Sequence, residues 1–293
     1  MKNIIVGLGE ILWDVLPTGK ILGGAPANFA YHISQFGYDG YVVSAIGQDE
    51  LGEEILQNLN TKKLNYQIEK TEFHTGTVQV TLDEKGIPSY EICENVAWDN
   101  IPFSAEIEKL AKSTRTICFG SLAQRSEVSK RTIRLFLKAM PGNALKIFDI
   151  NLRQHFYTKE LIVESLHNCD ILKINDEEVV VVAKLLGWEN KTELEVCKQL
   201  LIDYNLNMLV LTKGVEGSYV LTTDETSFMP TPKVTVADTV GAGDSFTAAF
   251  IASILKGKSI TEAHQRAVDV SAYVCTQKGA VPILPENLTF DKQ

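Results

Sequence analysis

Short runs of aliphatic and β-branched residues alternate along this chain with longer stretches of helical period, and no other feature restricts the fold as much. Ile4–Leu8 reads as a buried strand and Pro26–Phe36 as a helix stopped by Gly37. Tyr41–Ile46 and Leu51–Leu59 repeat that strand-then-helix order. Further strands are expected at Thr116–Phe119, Lys146–Ile150, Ile171–Ile174 and Met208–Thr212, with helices between them. Strands joined through helices pair in parallel, so the expected class is α/β, with a mainly parallel sheet between two helical layers.

Two stretches break the rhythm. Thr77–Leu82 and Ser89–Ile92 alternate apolar and polar residues on either side of the turn-rich Asp83–Pro88. That is a hairpin pattern. It predicts a small antiparallel flap beside the large sheet, placed to cover a site at its edge.

Composition limits the partners. The 293 residues carry a formal charge of -9, which disfavours nucleic acid and anionic membranes. No run of roughly 20 apolar residues occurs, so no membrane-spanning helix is expected. The five cysteines are odd in number and show no C-x-x-C spacing. That argues against a disulfide framework and for a reducing, cytoplasmic setting. An acidic chain that binds a polyanion must build the site locally, from backbone N–H groups, a few cations and metal.

Such a site is written at Asp238-Thr239-Val240-Gly241-Ala242-Gly243-Asp244, directly before a helix over Ser245–Lys256. Glycines at a helix start let the backbone approach a ligand closely. The unpaired N–H groups and the helix dipole there attract an anion. A carboxylate in that first turn, Asp244, can take the proton of an attacking hydroxyl. An Asp near a helix start also serves simply to complement the dipole; the Gly-Ala-Gly in front of it favours the ligand role. Near the other end, Gly23-Gly24-Ala25-Pro26-Ala27-Asn28 opens a helix, and Asn28 offers donor and acceptor to hydroxyls. A tight turn with a surface Asn fits that segment equally well.

Together these segments resemble the C-terminal and N-terminal signatures of the ribokinase (PfkB) family of carbohydrate kinases. The resemblance implies a ribokinase-like α/β/α core as one domain over residues 1–293. It adds a small β-sheet lid from roughly 10–22 and 77–98. It implies an ATP-dependent sugar kinase in which Asp244 is the base and Gly241, Ala242 and Gly243 form the anion hole. Asp14, Gly23, Gly24 and Asn28 would hold the sugar, and the flap residues Gln79, Tyr90 and Trp98 could touch it.

The supporting motifs keep family order. Asp149-Ile150-Asn151-Leu152-Arg153 ends a strand, and the resemblance gives Arg153 a phosphate-binding role. Asn175-Asp176-Glu177-Glu178 matches an Asn-x-x-Glu element, implying phosphate contact for Asn175 and Mg2+ at Glu178, through water. Thr212-Lys213-Gly214-Val215-Glu216-Gly217 resembles the nucleotide loop, with Thr212, Lys213, Gly214 and Gly217 toward ATP. Alone, that segment could be a hairpin turn. Gly279 lies in a tail like the family's adenine loop, and Asp238 would face a monovalent cation such as K+.

Leu12–Pro17, Gly23–His32 and Asn95–Asp99 look most like bacterial fructokinases, so fructose is the expected substrate. Ribose, a 2-keto-3-deoxy sugar acid, a nucleoside or a sugar phosphate are the alternatives, as is a non-catalytic sugar-binding regulator. A homodimer is implied by the family. Other nucleotide motifs fail: Leu12 replaces the third glycine of G-x-G-x-x-G, and Ala252 the first glycine of a P-loop ahead of Gly257-Lys258-Ser259.

Overall fold

The computed structural model describes residues 3–17, 19–82 and 88–290, without the side chains of 80–82 and 88–90. The strands are β1 (Ile4–Leu8), β2 (Leu12–Leu16), β3 (Gly19–Gly23), β4 (Asp39–Gly47), β5 (Asn65–Thr71), β6 (Gly76–Leu82), β7 (Pro88–Ile92), β8 (Thr116–Phe119), β9 (Leu145–Asp149), β10 (Ile171–Asn175), β11 (Met208–Thr212), β12 (Ser218–Leu221) and β13 (Thr226–Met229). The helices are α1 (Ala25–Gln35), α2 (Glu50–Thr61), α3 (Ala105–Ala111), α4 (Glu127–Ala139), α5 (Lys159–His167), α6 (Asp176–Leu186), α7 (Glu193–Asp203), α8 (Ala242–Leu255) and α9 (Ile260–Cys275).

Nine strands form one sheet in the order β13-β12-β11-β10-β9-β8-β1-β4-β5. The pairs from β11 through to β5 are parallel, and β12 and β13 close one edge in antiparallel fashion. The strand alternation sorts side chains between two cores. Ile117 and Phe119 of β8 join a core with residues of α3–α7, whereas Cys118 joins the core under α1, α8 and α9. Helix α8 is buried along Ser245–Ser253, held between its neighbours. It is apolar nearly all round, as a fully interior helix must be.

The chain order reverses at β1, whose neighbours are β4 on one side and β8 on the other. Open α/β sheets bind ligands at the carboxyl ends of the strands beside such a switch point. Glu10, Gly120, Asn151, Asn175 and Thr212 all end or directly follow core strands, so they gather along that edge.

A second, four-stranded sheet has the order β3-β2-β6-β7. The β6–β7 pair is the antiparallel hairpin that the alternation predicts, and its turn, 83–87, lies outside the described residues. The sheet as a whole differs from a purely antiparallel flap: β2 pairs with β6 in parallel. The Thr212–Gly217 segment is the hairpin connection between β11 and β12, closed by Lys213 N donating to Gly217 O at 2.9 Å.

Candidate active site

The N-terminus of α8 is shaped by Gly241, whose φ of 78° lies in the left-handed region. A Cβ there would also sit 2.6 Å from Ala280 O, so both the dihedral and the space require glycine. In the first turn the Ala242 N–H donates to Thr239 O at 3.2 Å. This corrects the expected anion hole by one residue. Among the described residues, no carbonyl accepts the N–H of Gly241, Gly243 or Asp244, and these are the donors left for an anion.

Asp244 is half-buried and receives a hydrogen bond from Asn28 Nδ2 to Oδ2 at 2.8 Å. No cation among the described residues lies at ion-pair distance from it. Burial, and next the charge of Asp149, raise its pKa to about 6. The Asn28 amide, Lys173 and Arg153 pull the other way. A carboxylate near this value is mostly ionised at neutral pH yet a better base than one in water.

The N-terminal signature sits opposite. Gly24 caps α1 with φ 117°, and a side chain there would collide with Glu10 O. Gly23 is pressed against Asp14, whose Oδ2 would lie 2.6 Å from a Cβ at that position. Asp14, half-buried on β2, is raised by burial and drawn down by Arg153. The same guanidinium acts on Glu10 and Asp244, so Arg153 is the shared cation of three carboxyl groups. The exposed Arg153 is aimed by a loop with left-handed φ at Asn151 (42°) and Gln154 (48°).

Farther along the edge, Glu178 is 5% exposed and clamps the loop after β9 to the start of α6. It accepts from Leu152 N at 2.8 Å and Asn175 N at 2.9 Å. Asn175 Oδ1 caps α6 through Glu178 N at 2.8 Å. Asp238 joins two loops, accepting from Val240 N at 3.0 Å and Gly279 N at 3.1 Å. No cluster of three or more acidic, His or Cys side chains suited to a metal exists among the described residues.

The sequence that builds this geometry matches a family model described as pfkB family carbohydrate kinase, over residues 14–287. The chain belongs to that family. An uncharacterized sugar kinase from Pyrococcus horikoshii superposes on this pfkB kinase with a TM-score of 0.81 at 27% identity, covering 95% of this chain and 93% of the other. Fructokinase-2 of Zea mays is 28% identical over 312 residues, 97% of this chain and 92% of its own. A fructokinase from Xylella fastidiosa, solved with bound ATP, shares the fold at TM-score 0.83 and 20% identity, with 97% and 96% covered.

Within this pfkB kinase the expected flap contacts need correction. Trp98 is 0% exposed and cannot offer its ring to a sugar. It packs under Arg125, whose guanidinium lies 4.2 Å from the Trp98 ring centre and 4.4 Å from that of Phe156. Arg125 in turn forks onto Asp99 with two contacts of 2.8 Å. Gln79 falls on the wrong face: it pairs with Val15, while Asp14 pairs with Val78, and neighbouring residues point to opposite sides. Its amide donates to Thr77 Oγ1 at 3.3 Å. Tyr90 stands opposite Val80 in β7, and its side chain lies outside the described residues. Lys213 is held between Glu193 and Glu216, each at 2.9 Å, and this double pairing competes with the expected contact to ATP.

Three further charged residues of the site carry no chemical role from sequence. Glu10 is 4% exposed, and its Oε2 has no hydrogen-bond partner in the protein. Burial raises its pKa to about 7, against the N–H groups of Glu10 and Ala25 and the charge of Arg153. Lys173 and Asp149 form a buried ion pair at 3.0 Å. Asp149 and Glu10 could have been flagged by their places at or just past strand ends, and Lys173 as a charged residue inside the apolar strand β10.

Proposed function

We propose that this pfkB kinase moves the γ-phosphoryl group of ATP to a hydroxymethyl group of a small sugar, converting fructose to fructose 6-phosphate. The observation that carries the reading is Asp244: one carboxylate, oriented by Asn28, in the same turn as open backbone donors. The sugar lies between Asp14, Gly24 and Asn28. ATP lies along the strand ends toward Asn175, Thr212, Gly214 and Gly279. The hydroxyl oxygen bonds to the γ-phosphorus as its proton passes to Asp244, and the bridging oxygen leaves with ADP. The Gly241, Gly243 and Asp244 N–H groups, with Arg153, face the charge on the moving group.

Magnesium bound to the ATP phosphates would supply charge neutralisation during the transfer. Glu178 fits an outer role, because each carboxylate oxygen already accepts a backbone N–H and retains a lone pair for a metal-bound water. Asp238, with both oxygens similarly engaged, is the residue nearest to a K+ role. The four-stranded sheet acts as the lid that excludes water from the transfer, and a homodimer would form through it. Five free thiols suit a cytoplasmic setting. Fructose rests on the fructokinase-like segments and the maize relative. ADP release with MgATP over fructose, ribose, a 2-keto-3-deoxy sugar acid, a nucleoside and fructose 6-phosphate tests the assignment. Highest kcat/KM on fructose is expected; a higher value on any other substrate overturns it.

A further inference from the structure

Two charges under the first turn of α8 play no part in the transfer as just derived. Lys173 on β10 and Asp149 on β9 stand opposite each other in the parallel register, with Nζ and Oδ1 3.0 Å apart. Their side chains are 10% and 8% exposed. A buried ion pair is a poor stabilising device, because apolar residues of similar volume often do as well or better. Its location is therefore the informative part.

Each member reaches α8. Thr247 Oγ1, one turn beyond Asp244, donates to Asp149 Oδ2 at 3.1 Å. A Cβ on Gly243 would lie 3.1 Å from Lys173 Nζ. The ammonium thus sits directly beneath the residue that precedes Asp244, and the absence of a side chain at 243 leaves it room. The pair is set by two core strands and not by a loop, so it is rigid. The turn that carries the open donors and the carboxylate rests on it.

We propose that Lys173 and Asp149 are positioning residues of the phosphoryl transfer, opposed charges seated under α8 that set how readily Asp244 takes up and gives back the hydroxyl proton. The inference rests on Asp244 as the base.

The surroundings of Asp244 support the assignment from every side. Asp149 approaches from β9, Lys173 from β10, Arg153 from the loop after β9, and Glu10 from the end of β1. Asn28 comes from α1, and the Cys118 thiol of β8 lies beneath, kept neutral by burial. Asp149 makes Asp244 harder to ionise, and Lys173 makes it easier. Lys173 itself stays charged. Burial alone would favour its neutral form, but Asp149 and Glu178 outweigh that. Two members with opposite effects predict opposite consequences when each is neutralised. A pair that merely braces the sheet predicts nothing of the kind.

The test is a carboxyl carbon-13 NMR titration of Asp244 in the full chain, its signal assigned with Asp244→Asn. Lys173→Met should move the midpoint up by about one pH unit or more, and Asp149→Asn should move it down by a similar amount. The double variant should return toward the wild-type value, and Lys173→Arg should undo most of the Lys173→Met shift. The acid limb of kcat/KM should move in the same directions, about tenfold in rate per unit on the falling side. Should Lys173→Met fail to fold, Asp149→Asn and the neutral double variant still carry the comparison. Midpoints that stay put, or move the same way in both single variants, overturn the proposal while Asp244→Asn remains inactive. Near-wild-type turnover in Asp244→Asn would instead remove the base, and the proposal with it.

Discussion

Asn28 Nδ2 donates to Asp244 Oδ2 at 2.8 Å, across 216 residues of chain. The bond joins the helix of the N-terminal signature to the carboxylate of the C-terminal signature. It favours the ionised acid and fixes its orientation. A hydrogen bond to a charged group is worth about 1.5–3 kcal/mol. Asn28→Ala should therefore lower kcat/KM by about 10- to 100-fold, and Asn28→Asp by more, because a second carboxylate would face the first. Steady-state ADP release checks both; an Asn28→Asp enzyme as active as wild type would contradict the geometry.

The proposed base must be ionised to accept a proton. Asp244 is held at about 6 by burial and, next, by Asp149. Activity should therefore rise with pH through about 6 and be lost below it. A free carboxylate would place that limb near 4. A kcat/KM profile between pH 4.5 and 8.5 separates the two.

Gly241 and Gly243 should behave differently although they are two residues apart. Gly241→Ala forces a side chain into a left-handed backbone and onto the Ala280 backbone, neither of which yields. It should lose about 1 kcal/mol or more of stability and most of its turnover. Gly243→Ala brings its methyl to 3.1 Å from Lys173 Nζ, and a shift of a few tenths of an ångström at that side-chain end makes room. It should keep its melting temperature and lose turnover. Thermal unfolding paired with ADP release distinguishes them.

Arg125 offers a control. Removing it strands Asp99, a carboxylate only 5% exposed. Arg125→Met should lower stability by about 3–5 kcal/mol. The KM for sugar should not change, because the Trp98 cluster is core and not binding surface. A large rise in KM would return Trp98 to the substrate site.

Glu10 links pH to stability. Its folded-state pKa of about 7 stands above the ordinary 4.5. The folded chain thus holds that proton more tightly than the unfolded chain. The benefit is full below pH 4.5 and is lost as pH rises through 7. At about 1.4 kcal/mol per pH unit the loss is on the order of 3 kcal/mol. Glu10→Gln cannot ionise and should show a smaller fall in melting temperature between pH 5 and pH 8. Equal falls in both proteins would refute the link.

The main sheet was legible because its strands carry local signals. Ile117, Cys118 and Phe119 are a compact apolar run, and the Gly-Ala-Gly-Asp turn announces its own backbone chemistry. Pairing was not legible. Nothing near Leu12 or Gly76 says that β2 and β6 run parallel side by side. That single register decides that Gln79 faces away from Asp14. Trp98 on a flap could face a ligand or the core, and the deciding partner, Arg125, carries no motif. Lys173 and Asp149 become a pair only once β9 and β10 are neighbours. Local sequence encodes the elements of this site, and strand order encodes which of their charges meet.

Helix α1 reaches beyond Asn28. His32 Nε2 lies 2.9 Å from Ala280 O, and Gln35 Oε1 accepts from Leu284 N at 2.7 Å, contacts that span 248 and 249 residues. Bonds of that separation close long loops, and such loops are slow to close. Asp244 therefore has its orienting amide only where the two ends of the chain are docked together. A chain in which α1 and the C-terminal segments have not met lacks the bond between Asn28 and Asp244.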